Sequence, residues 1–121
     1  MTFEASDLAA MAAAEEVDIE TRSPSGDARR TIIWIVERGG EVYVRSVRGP
    51  RGRWYRDALA DPAVTIHVDG LRVAARAVPA ADPGSIEACS EALRAKYRSD
   101  YSLASMLEAE TLPTTMKLVP A

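Results

Sequence analysis

A chain of 121 residues with 47% hydrophobic and 27% charged side chains has the size and composition of one folded domain over residues 1–121, which excludes a disordered or fibrous protein. The start lacks a basic segment followed by a strongly apolar run, and no stretch approaches the roughly 18 apolar residues of a membrane span, so a cytoplasmic protein without membrane contact is expected. The net charge of −3 hides an asymmetry: residues 22–56 hold nine arginines against three carboxylates, a net of +6, whereas the remainder holds six basic and fifteen acidic residues, a net of −9.

In chain order, residues 6–16 are rich in Ala, Leu, Met and Glu, with Ser6 or Asp7 able to cap them, which predicts a short helix. Val17 and Ile19 alternate as in a strand, and residues 22–27 (RSPSGD) have turn chemistry throughout. Residues 31–37 (TIIWIVE) are β-branched and aromatic, Gly39 and Gly40 suit a two-residue turn, and residues 41–47 (EVYVRSV) continue as strand. The resulting hairpin sets Arg38 opposite Glu41, Ile35 opposite Val44 and Trp34 opposite Arg45. Pro50 and two glycines stop the strand and make residues 48–53 (RGPRGR) a basic loop. Residues 54–60 (WYRDALA) read as a short helix with Trp54 and Ala58 on one face, closed by Asp61 and Pro62.

A second hairpin follows, in which Val64, Ile66 and Val68 alternate, Asp69 and Gly70 turn, and Leu71, Val73, Ala75 and Ala77 return. Pairing Val68 with Leu71 puts His67, the only histidine, opposite Arg72 on the polar face. Asp82 caps and Pro83 opens a helix near residues 84–98, whose Ile86, Cys89, Leu93 and Tyr97 form one apolar stripe of core. The single cysteine, Cys89, has no disulfide partner and reads there as a small buried hydrophobe. Residues 100–110 predict a last short helical turn and residues 114–119 (TTMKLV) a closing strand. Hairpin-joined strands with helices between them predict a mainly β, antiparallel, barrel-like sheet with flanking helices.

The chain holds no paired carboxylates in a plausible cleft, no nucleophile elbow, no metal-ligand cluster and no glycine-rich nucleotide fingerprint. It does hold an anion trap: Arg45, Ser46, Arg48, Arg51 and Arg53 fall within nine residues, with Gly49 and Gly52 exposing backbone N–H groups and a helix starting near Trp54. Guanidinium forks match phosphate oxygens, and a helix N-terminus favours negative charge. A basic segment on an acidic chain points to a local anionic ligand rather than to a long polyanion.

These residues also carry a resemblance. Residues 31–68, TIIWIVERGGEVYVRSVRGPRGRWYRDALADPAVTIHV, resemble the flavin and deazaflavin oxidoreductases of the split β-barrel superfamily, which includes pyridoxamine-phosphate-oxidase-like proteins. The matching pieces are residues 21–26 (TRSPSG), residues 46–52, residues 54–59 (WYRDAL), Pro62 and residues 64–68. The resemblance implies an FMN-binding split β-barrel and a homodimer that holds FMN or coenzyme F420 between protomers. Ser25, Arg30, Thr31, Arg45, Ser46, Arg48, Arg51 and Trp54 are the positions it assigns to the cofactor. Ser23 and Pro24 stand where relatives using coenzyme F420 have a glycine and a basic residue, and Asp57 replaces their asparagine, so the choice between the two cofactors stays open.

The implied reaction is hydride transfer to or from a small unsaturated or nitro-type substrate. The cofactor carries the hard chemistry, so no catalytic side chain is obligatory. Tyr97 and Tyr101, near the end of the long helix, are candidates for a substrate pocket, with amphipathic packing as their other reading. The alternatives are a non-catalytic cofactor-binding protein and a single-stranded nucleic-acid module stacking bases on Trp34, Tyr43, Trp54 and Tyr55. Overall acidity weighs against nucleic acid.

Overall fold

The computed structural model describes residues 2–121 and contains one seven-stranded antiparallel sheet with helices packed on it. Helix α1 (Ala5–Ala13) leads into the hairpin β1 (Val17–Arg22) and β2 (Ala28–Ile33), followed by the hairpin β3 (Val36–Arg38) and β4 (Glu41–Val44). A short 3-10 turn (Gly49–Arg51) enters helix α2 (Arg53–Ala60), and the hairpin β5 (Ala63–Val68) and β6 (Leu71–Pro79) follows. Helices α3 (Pro83–Lys96) and α4 (Leu103–Met106) and a 3-10 segment (Ala109–Thr114) precede the closing strand β7 (Met116–Pro120). Among the described residues no helix is long and apolar enough to cross a membrane.

Strand order is β2-β1-β5-β6-β7-β4-β3, so β2 and β3 lie at opposite edges although only Trp34 and Ile35 separate them. Three Cα steps span at most about 11 Å. The two edges must therefore approach each other, and the sheet curls into an antiparallel split barrel. Its interior is filled by inward residues of every strand but β3, including Ile19, Ile33, Val44, Ile66, Val73 and Leu118, together with Ile35 of the β2–β3 crossing and Trp54 and Ala58 of α2. A second cluster joins Val36 and Tyr43, on the other face of β3 and β4, to Cys89, Leu93 and Tyr97 of α3 and Met106 of α4.

The second hairpin keeps the expected register, Val68 with Leu71 and His67 with Arg72. His67 Nε2 lies 2.8 Å from Glu20 Oε1 on the neighbouring strand β1. Asp82 caps α3 by accepting the Ser85 amide at 3.0 Å, with Pro83 in the first turn. The first hairpin differs from expectation. Residues 31–37 do not form one strand, and the ladder stops at Val36 with Tyr43, so Ile35 with Val44 and Trp34 with Arg45 are not pairs of it. The reason is competition for the backbone of Ile35: its carbonyl accepts Lys96 Nζ at 2.6 Å and its amide donates to Tyr97 Oη at 3.4 Å. Helix α3 thus takes the hydrogen bonds that a continuous strand would have needed.

Tyr97 also donates to the Glu15 carbonyl at 2.7 Å and lies flat on Trp34, centroids 3.9 Å apart and planes within 6°. Burial pushes its hydroxyl up to about 12 and drives the Lys96 ammonium down to about 8. Between pH 8 and the ordinary lysine value of 10.5 the unfolded chain binds the Lys96 proton that the folded chain has released, so stability rises with pH. Between 10.0 and about 12 an unfolded Tyr97 ionises while the folded one stays neutral, so stability falls. Urea midpoints should climb from pH 8 to 10 and drop above 10.5, and in Lys96→Met the climb should vanish. A flat profile for the unsubstituted chain would remove this account of the joint. Leu93→Ala, at the buried centre of the α3 stripe, should lower stability by about 2 to 5 kcal/mol in the same assay.

Candidate functional site

The chain leaves β4 through Arg45 and Ser46, and both turn inward. Arg45, 2% exposed, donates from Nε to Thr115 Oγ1 at 2.9 Å, from Nη1 to Ser90 Oγ at 3.0 Å and the Met106 carbonyl at 3.2 Å, and from Nη2 to the Ile86 carbonyl at 3.1 Å. Ser46 Oγ donates to the Gly49 carbonyl at 2.8 Å while the Gly49 amide returns to the Ser46 carbonyl at 2.9 Å, which closes the loop on itself. Gly49 adopts φ +64°, a left-handed conformation that glycine tolerates best. A Cβ on Gly52 would stand 2.2 Å from Ser46 Oγ, so only glycine fits there without moving the serine.

This tight loop forms one wall of a cavity of about 500 Å³ that is completed by Thr31 and Ile32 of β2, Val47, Arg48, Arg53 and Trp54. Thr31 Oγ1 is the one buried side-chain polar atom, among the described residues, that finds no hydrogen-bond partner. Arg48 and Arg53 have exposed side chains with no ion pair among the described residues. Ile32 and Val47, 64% and 51% exposed, separate this cavity from a second one of about 330 Å³, which they share. Ile33, Trp34 and Met106 line the second cavity with Arg45 in its wall, and Glu16, Asp100 and Ser102 complete it. Both lie beside the split between β2 and the end of β4.

Four of the eight residues expected at the cofactor, Thr31, Ser46, Arg48 and Trp54, line the first cavity together. The other four do not. Arg45 is engaged internally and reaches only the second cavity. Arg30 turns to the other face of β2, where Nε and Nη2 donate to Asp18 Oδ2 at 3.1 and 2.8 Å. Ser25 sits at the tip of the β1–β2 hairpin, donating to Asp27 at 3.2 Å, and Arg51 projects from the 3-10 turn outside both cavities. Tyr97 is buried against Trp34, and Tyr101 is 97% exposed; neither lines these two cavities.

Two features escaped the sequence reading. Arg53, noted in the basic loop but left out of the assigned positions, belongs to the cavity wall. Asp57 is buried and accepts Arg29 Nε at 3.0 Å, Arg29 Nη2 at 2.6 Å and Thr21 Oγ1 at 3.0 Å, which anchors α2 to the first hairpin. Burial raises its carboxyl, and the bonds from Arg29 and Thr21 more than offset that, holding it below the usual carboxylate range. Its spacing was a usable signal: Asp57 falls three residues after Trp54 and one before Ala58, on the apolar face of α2. Among the described residues no three His, Cys, Asp or Glu side chains are placed to hold a metal ion.

Residues 7–118 match the family described as "Uncharacterized protein conserved in bacteria (DUF2255)". No curated protein matches the chain. Solved structures share the fold at low identity. A conserved hypothetical protein from Mycobacterium tuberculosis superposes with a TM-score of 0.72 at 14% identity, over 98% of this chain and 79% of that one. A putative pyridoxamine 5'-phosphate oxidase from Listeria innocua gives 0.66 at 13%, over 95% and 90%. An F420-H2 dependent reductase gives 0.65 at 16%, over 86% and 93%. The chain therefore belongs to that bacterial family, and its fold is the split barrel that these solved structures share.

Proposed function

We propose that this protein binds a phosphate-bearing flavin or deazaflavin, FMN or coenzyme F420, at an interface between two copies, and uses it as an oxidoreductase. The observation that carries this reading is the buried, unpartnered Thr31 hydroxyl in the wall of a cavity that also presents the Arg48 and Arg53 side chains. A buried hydroxyl without a partner is costly unless a ligand supplies one. The residues present fit a phosphate: two guanidinium forks, a hydroxyl, and a loop whose main chain can come close because Gly52 has no side chain. Ser46 and Trp54 shape this wall and hold the loop against the barrel.

Bound there, the cofactor would supply hydride transfer, to or from a small unsaturated or nitro-type substrate. The chain's part is placement. Arg48, Arg53 and Thr31 would fix the phosphate end, the Ile32 and Val47 side chains would exclude water beside it, and the second cavity would admit the substrate. The open edge β2 carries the exposed Ile32 next to both cavities, which supports a second copy covering this side. The nucleic-acid reading loses its stacking surface, because Tyr43 and Trp54 are buried and Trp34 and Tyr55 are partly buried.

Light scattering at micromolar concentration should give twice the 13.1 kDa chain mass, and a clean monomer would remove the interfacial site. In titrations of FMN and coenzyme F420, Arg48→Ala and Arg53→Ala should each weaken binding by about tenfold to a hundredfold, the range of a charged hydrogen bond, and Thr31→Val by less. Arg51→Ala should leave affinity unchanged, and Gly52→Ala should weaken it by forcing Ser46 out of its bond to Gly49. Riboflavin, which lacks the phosphate, binding as tightly as FMN would overturn the assignment. Unchanged melting temperatures for the arginine variants serve as the folding control.

A further inference from the structure

Among the described residues Arg45 is the largest fully buried side chain and a cation, yet no carboxylate lies within ion-pairing distance of it. A buried charge is normally paired or fully hydrogen-bonded, because its desolvation is expensive. The guanidinium has five N–H donors, and the four bonds to Thr115, Ser90, Met106 and Ile86 leave one on Nη2. That side chain stands in the wall of the second cavity, otherwise lined on this side by Ile33, Trp34 and Met106. Burial pulls the guanidinium below the usual arginine range; the neighbouring Cys89 offsets part of that fall and the nearby Arg94 adds to it.

We propose that the second cavity is a binding site for a flat, largely apolar molecule ending in a carboxylate or carbonyl oxygen, with that oxygen received by the remaining N–H of Arg45. The apolar walls and the indole of Trp34 suit a planar ring, and the cavity of about 330 Å³ suits a small one. Glu16 and Asp100 also border this space and oppose an anion. Their effect is the weaker one, since Glu16 is exposed and Asp100 partly so, where water and salt screen charge, whereas Arg45 acts from the low-dielectric interior. The site does not admit a polyanion, because a second negative group would face those carboxylates. Joined to the proposed cofactor reading, on which only this step rests, the same N–H would stabilise negative charge gathering on a substrate oxygen.

The chain has two tryptophans, Trp34 in the second cavity and Trp54 in the first, so Trp54→Phe leaves Trp34 as the sole indole reporter. Benzoate, benzamide and benzamidine are to be titrated into this variant at about 20 mM salt, following Trp34 emission, with ligand-observed NMR on the unsubstituted chain. Ligands of this size bind in the range of roughly a millimolar to tens of millimolar. Benzoate should bind at least about tenfold more tightly than benzamidine, with benzamide between, the factor expected of one charge-assisted hydrogen bond. Arg45→Lys keeps the charge and loses the fork, and should weaken benzoate about tenfold with its melting temperature as control. Should that variant fail to fold, the order of the three probes on the native arginine decides. Benzamidine binding as tightly as benzoate, or no probe moving either signal, would overturn the proposal. FMN is titrated in parallel: FMN bound with no preference for benzoate sinks this inference alone, and benzoate preferred with FMN unbound sinks the cofactor reading alone.

Discussion

One guanidinium determines how the chain leaves the barrel. Arg45 follows β4 directly, and its four bonds run to Ile86 and Ser90 on α3, to the end of α4 at Met106, and to Thr115 just before β7. Elements far apart in sequence are thus fastened to one side chain that cannot lose its charge near neutral pH. Its acceptors are carbonyls and hydroxyls, which satisfy geometry without neutralising charge. With Arg45 fixed, Ser46 is held by Thr114 at 3.0 Å, and the loop that follows starts from a defined direction. Gly49 and Gly52 then allow it to fold back on Ser46, so the side chains of residues 48 and 53 emerge at the cavity. The placement of the exposed arginines therefore depends on the buried one.

A second constraint acts at Trp34 and Ile35. Two residues carry the chain from one edge of the sheet to the other, which is possible only because the sheet curls, and Lys96 and Tyr97 hold the crossing by taking the Ile35 backbone. The stacked Trp34 and Tyr97 rings brace the same point. The apolar wall of the second cavity comes from this crossing, because Ile33 ends the β1–β2 ladder and Trp34 is the first residue past it. Topology and site are then one problem: the split that leaves β2 as an open edge also creates the groove beside it.

What sequence patterns reveal follows from the range of the forces involved. The hairpin at Asp69 and Gly70, the cap and first proline of α3, and its Cys89, Leu93 and Tyr97 stripe were legible because turn chemistry, capping and helical spacing act over a few residues. The break within residues 31–37 was not, because the competitor for that strand's hydrogen bonds lies 61 residues away on α3. Arg45 and Arg48 look alike in sequence; which one turns inward depends on acceptors at residues 86, 90, 106 and 115. The candidate site was half legible for the same reason. The loop of residues 46–54 was visible as a local cluster, whereas Ser25 and Arg30 could be placed only by the pairing of β2 with β1.

The basic stretch also changes meaning once partners are known. Arg29 is bound to Asp57, Arg30 to Asp18, Arg38 to Glu91, Arg22 to the Gly26 carbonyl, and Arg45 to the interior. Arg48, Arg51, Arg53 and Arg56 have no such side-chain partner among the described residues, and all four fall between the end of the β4 loop and the first turn of α2. Within this stretch the unpaired charge is therefore compact, while the residues outside it, which include the exposed Arg72, Arg76 and Arg98, carry a net of −9. Such a field acts over about a Debye length, roughly 10 Å at 0.1 M salt, and Asp57 stands close enough to Arg53 for that guanidinium to help hold its carboxyl down. On the function proposed above, a concentration of that size suits one phosphate-sized group at the loop rather than the repeating charge of a nucleic acid.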